Sequence, residues 1–296
     1  MNILVLGGSY FLGKHFIKMA VNEHNITVFN RGNKPLGLPQ VSEIHGDRHD
    51  NEALGFFKGR HFDTIVDFCA YNEGDIAAFF QIPEFGFSQY IYVSTCDVYE
   101  RGLNKLLDEA APFERRRFGG AVGDYISGKV ALEEELVEYA KRYDVSYTSV
   151  RPAFIYGPDN YAPRESIYFH WIEKAGQILQ PSDATGEFQM VYVDDVALAV
   201  LKAVGNHRAF NQVYNLAPLP METYDSFLAA LEEGVDTEFE KVPVTVCQVE
   251  EKNIPLPFPL TKEESNWYDG RKALDLIDNY TGLSDGLRRT FYSSIK

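Results

Sequence analysis

The chain has 296 residues, 45% of them hydrophobic, and a formal charge of −15 from 28 Lys and Arg against 43 Asp and Glu. That length and apolar share suit a globular protein with a substantial core, while the acidity argues against a partner gripped through phosphates, because nucleic-acid binders present a basic face. No apolar run reaches the ~20 residues that span a bilayer, no charged leader precedes the first strand, and Cys69, Cys96 and Cys247 are too widely spaced for a metal site or a disulfide framework; a cytoplasmic protein without a bound metal is expected.

The first element is an apolar strand, Ile3 to Leu6. It runs into Gly7, Gly8, Ser9, Tyr10, Phe11, Leu12 and Gly13, and then into a stretch with Phe16, Ile17, Ala20 and Val21 at helical spacing. Strand, glycine turn and helix form the setting of a dinucleotide fingerprint. Gly7 permits the tight turn, Gly13 lets the helix lie close to the strand, and N–H groups at the helix start would hold a pyrophosphate. Tyr10 stands where the middle glycine of the fingerprint would be. A second strand, Ile26 to Gly32, ends at the ribose position with Asn30 and Arg31 instead of an acidic residue. Asn30 can bond a hydroxyl and Arg31 can pair with a 2′-phosphate. NADP is therefore placed slightly ahead of NAD, with a solvated turn as the other reading of Arg31.

Further strands are read at Val41–His45, Thr64–Ala70 and Tyr90–Thr95, with helical stretches between them. This alternation predicts a doubly wound parallel sheet, an α/β Rossmann architecture. Ligands of such sheets sit beyond the carboxyl ends of the strands, where Asp47, Arg48, Cys69, Ala70 and Thr95 fall. The Arg115–Arg117 cluster reads as a solvated loop, with diphosphate binding as the alternative.

Tyr125 and Lys129 come next, four residues apart at the start of a helical run and therefore on one helix face. A lysine ammonium beside a tyrosine favours the phenolate, as does a cationic cofactor ring, so the tyrosine can exchange a proton with a substrate hydroxyl. Thr95 lies thirty residues upstream and can bond the same substrate oxygen.

In the second half, Val145–Pro152 reads as a strand and Ser166–Leu179 as a helix, with aromatic residues 168–171 in the core of a lobe. Gln212–Leu216 reads as the last parallel strand and Thr223–Glu233 as a helix. Phe239–Val249 reads as a strand, Pro255–Pro259 as a loop near the substrate mouth, and Asp269–Tyr292 as a helical cover.

These motifs together resemble the short-chain dehydrogenase/reductases, in the extended epimerase/dehydratase branch. The residues carrying the resemblance are the GGxxFxG turn, Gly46-Asp47, Thr95-Cys96-Asp97, the YxxxK of Tyr125 and Lys129, Arg151-Pro152 through Gly157-Pro158, and Val191-Tyr192-Val193-Asp194-Asp195-Val196. The resemblance implies that Asp47 contacts the adenine. It also implies that the backbone of Pro152, Phe154 and Ile155 lies near the nicotinamide. Asp97 takes the place of a dehydratase base, but Cys96 stands where the acid would be, which argues against complete 4,6-dehydration. Residues 1–160 would form the Rossmann domain, completed by about 190–216, with 161–189 and 217–296 mainly in a small α/β substrate lobe. The expected activity is NAD(P)-dependent oxidation or epimerisation of a sugar-like or nucleotide-sugar carbinol, in a homodimer. The same turn variant also resembles chloroplast stem-loop RNA-binding proteins, which leaves a non-enzymatic RNA-binding role as the alternative.

Overall fold

The computed structural model describes residues 1–294. In chain order its elements are β1 (Asn2–Leu6), α1 (Phe11–Ala20), β2 (Asn25–Asn30), β3 (Ser42–His45), α2 (Asn51–Gly55), β4 (His61–Asp67), α3 (Ala77–Phe80) and β5 (Gly86–Val93). Then come β6 (Leu106–Leu107), α4 (Gly120–Tyr143), β7 (Ser146–Pro152), β8 (Phe154–Tyr156), α5 (Glu165–Ala175), β9 (Gln177–Pro181), β10 (Met190–Tyr192) and α6 (Val193–Ala203). The chain closes with β11 (Gln212–Leu216), α7 (Tyr224–Gly234), β12 (Glu240–Val244), α8 (Val246–Glu251), β13 (Trp267–Tyr268) and α9 (Leu283–Ser294).

Seven strands form one sheet in the order β11-β7-β5-β4-β1-β2-β3. Every neighbouring pair is parallel. The near-continuous apolar run of β1 follows from its central place, because helices cover both faces of a parallel sheet. Ile3, Leu4 and Val5 have no exposed surface. The strand order reverses beside β1, so the β1–α1 turn and the ends of β4 and β5 surround one crevice. This is the Rossmann sheet read from the motif order.

Three two-stranded parallel pairs, β8–β10, β9–β12 and β6–β13, lie outside the main sheet with α5, α7 and α9. Aromatic side chains fill the core there: Phe188 stacks on Phe258 at 4.1 Å, and Phe227 packs edge-on against Tyr168 at 5.0 Å. Of residues 168–171, read as core, Tyr168 and Phe169 are buried and Trp171 is half-buried, while His170 is exposed. The helix read over 166–179 stops at Ala175, because Gly176 turns left-handed at φ 63° and the chain continues as β9. The strand read over 239–249 is β12 followed by α8. The tail read as helical over Asp269–Tyr292 holds a short 3₁₀ turn at Arg271–Asp275 and then α9. Within the 255–259 loop, Phe258 turns into the aromatic core. No helix among the described residues is long and apolar enough to cross a membrane.

Candidate active site

The carboxyl ends of the parallel strands enclose a groove of about 730 Å³, whose walls include all of residues 7–13, Asn30, Arg31, Tyr125 and Lys129. The glycine turn has the cradle geometry that the motif predicts. Gly7 and Gly8 have φ values of 85° and 82°, a left-handed region that favours glycine. A Cβ on Gly13 would lie 2.5 Å from the Gly8 Cα, so only glycine lets α1 start this close to the turn. Tyr10, at the middle fingerprint position, turns its ring outward at 53% exposure, with the Lys34 ammonium 4.9 Å from the ring centroid.

Asn30 and Arg31 reach the groove from the end of β2 in different states. The Asn30 amide is occupied: it donates to Ser9 Oγ at 3.0 Å, and its oxygen accepts from the Gly32 N–H at 2.7 Å. Arg31 is exposed and, among the described residues, has no hydrogen bond or ion pair within contact distance. Asp47 is at the same rim, its carboxylate accepting the His49 N–H at 2.9 Å; this bond holds its pKa below the ordinary value.

Arg48 also lines the groove, but its guanidinium points inward. Nη2 donates to Asp67 Oδ2 at 2.6 Å and to the Asp75 carbonyl at 3.1 Å. The pair is buried on both sides. Its charge is used to neutralise Asp67, which corrects the expectation of a cofactor contact through this side chain. Cys69 borders the groove with a thiol that burial pushes up to about 12, so it is a small neutral group there.

At the far end stand Tyr125 and Lys129. Helix α4 brings Lys129 Nζ to 5.9 Å from the Tyr125 ring centroid, on one helix face as the spacing requires. Nζ donates to the carbonyls of Ala70 and Val93, both at 3.0 Å. Two strand ends therefore fix the ammonium in place. Burial brings the Lys129 pKa down to about 8, against the opposing charges of Asp67 and Glu133. Ala70 acts through this carbonyl and does not reach the groove. Pro152 and Phe154 do not line it either: Pro152 pairs with Leu216 in the sheet, and Phe154 packs on Phe258. Of that segment, Ile155 reaches the wall.

Thr95 Oγ1 caps the short turn Cys96–Val98 by accepting the Asp97 N–H at 3.2 Å. The protein's own groups do not lower the Tyr125 pKa. Burial, followed by the charge of Asp97, pushes it up to about 12. The Lys129 ammonium is engaged with two carbonyls and is itself partly desolvated. Asp97 is held by Arg101 Nη2 at 3.2 Å. Cys96 is buried and directs its thiol at the Arg151 carbonyl at 3.0 Å, away from the groove.

Several contributors escaped the sequence reading. Gly128 has the Tyr71 carbonyl oxygen pressed against the place where a Cβ would be, so the residue before Lys129 must be glycine for α4 to dock. Lys34, Tyr71 and Tyr161 also line the groove. They come from segments distant in sequence, and no short motif marks them. The paired acids of the 191–196 motif are braces: Asp194 holds His15 of α1 at 2.6 Å, and Asp195 accepts from Thr281 N and Oγ1 at 2.7 and 2.8 Å. The arginine cluster stays outside the groove, with Arg115 on Glu134 and Arg116 on Glu114.

A glycine cradle at one end of a groove and a tyrosine–lysine pair at the other define a dinucleotide-binding Rossmann protein of the short-chain dehydrogenase type. A model of the NAD dependent epimerase/dehydratase family matches residues 3–217, and the chain belongs to that family of enzymes. It is 29% identical over 246 residues to the chloroplast stem-loop binding protein of 41 kDa b from Arabidopsis thaliana, covering 77% of this chain and 61% of that one. The chain thus spans less than two thirds of that relative's length. It is 25% identical over 300 residues to the N-acetyl-alpha-D-glucosaminyl-diphospho-ditrans,octacis-undecaprenol 4-epimerase of Escherichia coli O157:H7, covering 95% of this chain and 81% of that one. The fold superimposes on UDP-glucose 4-epimerase from Thermotoga maritima with a TM-score of 0.77 at 20% identity, covering 100% and 99% of the two chains.

Proposed function

We propose that the protein epimerises, by transient oxidation, a carbinol of a nucleotide sugar or a related sugar diphosphate. The observation that carries this reading is the Tyr125 phenol with the Lys129 ammonium 5.9 Å from its ring, at the end of the groove opposite the glycine cradle. When bound, the dinucleotide supplies the hydride acceptor and donor and, in its oxidised form, a positive charge that favours the neighbouring phenolate. Gly7 to Gly13 hold its pyrophosphate through backbone N–H groups. Tyr125 Oη takes the proton of the substrate hydroxyl and later returns it. Thr95 Oγ1 fixes the direction of that hydroxyl. Lys129 keeps a positive charge under the phenol below its pKa of about 8. With Cys96 turned away from the groove, Asp97 has no adjacent acid for the loss of water.

The test is incubation of the protein and dinucleotide with UDP-, GDP- and dTDP-sugars, followed by chromatography and mass spectrometry. A product of unchanged mass and altered stereochemistry is expected. A product lighter by one water would overturn the epimerase reading in favour of dehydration, and an inert panel together with tight RNA binding would favour the stem-loop alternative. The net charge of −15 speaks against RNA, as does the pairing of Arg115 and Arg116 with carboxylates.

We propose further that NADP is preferred, because the Asn30 amide is already engaged while Arg31 is exposed at the groove rim with Lys34 nearby on the same wall. A charge-assisted bond to a 2′-phosphate contributes about 1.5–3 kcal/mol, or roughly 10–100-fold in affinity. Arg31→Ala is expected to weaken NADPH binding by about that factor and to leave NADH nearly unchanged in fluorescence titrations. Equal weakening of both nucleotides would sink the assignment.

A further inference from the structure

Lys129 is a buried charge without a counter-ion. It is 3% exposed. The acids on the neighbouring elements are each committed to an arginine: Asp67 to Arg48 at 2.6 Å, and Glu133 to Arg151 at 2.7 Å. They act on the ammonium only from beyond ion-pair distance, as do Cys69 and Arg48. An ammonium has three N–H donors. Two are taken by the carbonyls of Ala70 and Val93, and the third finds no acceptor among the described residues. Two carbonyl dipoles are thin compensation for a whole charge taken out of water.

Aromatic faces supply the rest. Nζ lies 4.9 Å from the centroid of the Tyr71 ring and 4.8 Å from that of Tyr92. Both are closer than the Tyr125 ring at 5.9 Å. The negative face of a ring attracts a cation within about 6 Å, and more strongly where water is excluded. Tyr92 belongs to β5 and is wholly buried. Tyr71 follows β4, lines the groove and packs on Tyr125 with centroids 6.4 Å apart. Its backbone is fixed independently of its ring: the N–H donates to Asp75 Oδ2 at 2.8 Å, and the carbonyl rests on Gly128.

We propose that Tyr71 is a positioning residue of this site: its ring face, with that of Tyr92, takes the place of a counter-ion and holds the Lys129 ammonium charged beside Tyr125. The part this plays in turnover rests on the proposed epimerase reading. A carboxylate in the same place would pair with the ammonium and cancel its field at the phenol. A ring stabilises the cation and carries no net charge, so the field survives.

The sign of the effect follows. The rings favour the charged form, and removing one lowers the pH at which Lys129 loses its proton. For a desolvated ammonium one ring face is worth about one pH unit. The test is NMR titration of protein carrying ¹³C-labelled lysine, with the Lys129 side-chain signal assigned by its loss in Lys129→Arg. In Tyr71→Leu, which keeps bulk without a ring, the midpoint is expected to fall by about one unit. In Tyr71→Phe, which keeps the ring, it is expected to stay. Tyr71 is 45% exposed, so the fold is not at stake in either change. An unchanged midpoint in Tyr71→Leu overturns the proposal, as does an equal fall in both variants, which would assign the effect to the hydroxyl. With an accepted substrate, kcat of Tyr71→Leu is expected to decline about one pH unit earlier on the alkaline side than that of the unaltered enzyme. A kcat profile that does not move while the midpoint does would overturn the role in turnover. The titration needs neither substrate nor nucleotide. An inert sugar panel together with the expected midpoint shift would therefore fault the epimerase reading and leave the ring contacts standing.

Discussion

Tyr125→Phe is expected to lower turnover of any accepted substrate by roughly 10²–10⁴-fold, the usual loss when a general acid–base is removed. The ring stays, and with it the contact on Tyr71, so dinucleotide affinity is expected to change little. Only the proton-bearing oxygen is lost. Burial, followed by the charge of Asp97, holds the Tyr125 proton tightly and pushes its pKa up to about 12. In the unaltered enzyme, the step that removes the substrate proton should therefore accelerate as pH rises from neutral. Loss of the Lys129 charge above about pH 8 opposes this rise. The Phe variant has no phenol to titrate and should show a flat profile over that range. Steady-state rates and nucleotide titration on both proteins check this. Near-normal turnover in Tyr125→Phe would remove it from the chemistry.

The sheet was legible in the sequence because it depends on local patterns. The apolar run of β1, the glycine turn and the alternation of strand and helix each depend on a few adjacent residues. The spacing of Tyr125 and Lys129 also placed the two on one face correctly, since helical geometry alone fixes it. What could not be read from the chain depends on contacts between distant segments. Arg48 reads as a cofactor contact by its place after β3, but its direction is decided by Asp67, nineteen residues further on. The state of Tyr125 is set by burial and then by Asp97, which lies twenty-eight residues upstream. The helix expected over 166–179 gave way to β9 at Gly176, where a left-handed glycine ends the helix and β12 supplies a pairing edge. Periodicity contains no information about a partner strand sixty residues away.

Arg151→Ala is expected to destabilise the fold by about 3–5 kcal/mol, the cost of stranding one member of a buried ion pair. Arg151 Nε and Nη2 grip Glu133 at 2.7 and 2.9 Å, and both residues are almost wholly buried. The network extends further. Ser149 Oγ donates to Glu133 at 2.7 Å, Arg151 Nη1 donates to Tyr99 Oη at 2.7 Å, and Tyr99 donates to Asn215 at 2.6 Å. It thus ties α4, one turn beyond Lys129, to β7, β11 and the strand-end turn that begins at Thr95. The pH dependence gives the sign. Burial opposes ionisation of Glu133, but Arg151 outweighs it and holds the carboxyl below its ordinary range. A depressed folded pKa contributes stability above the unfolded pKa, about 4.3, and that contribution is lost as pH falls through the folded value. Without Arg151 the burial effect acts alone and the shift reverses: the stranded carboxyl takes up a proton more readily in the fold than in the unfolded chain. The gap in stability between the two proteins should therefore be widest at neutral pH and narrow as pH is lowered. Urea unfolding of both proteins at pH 8 and pH 5 measures it. The double variant Arg151→Met, Glu133→Leu, which removes both charges, is expected to recover most of the loss. A gap below about 1 kcal/mol, or one that does not change with pH, would show that the pair does not hold the fold together in this way.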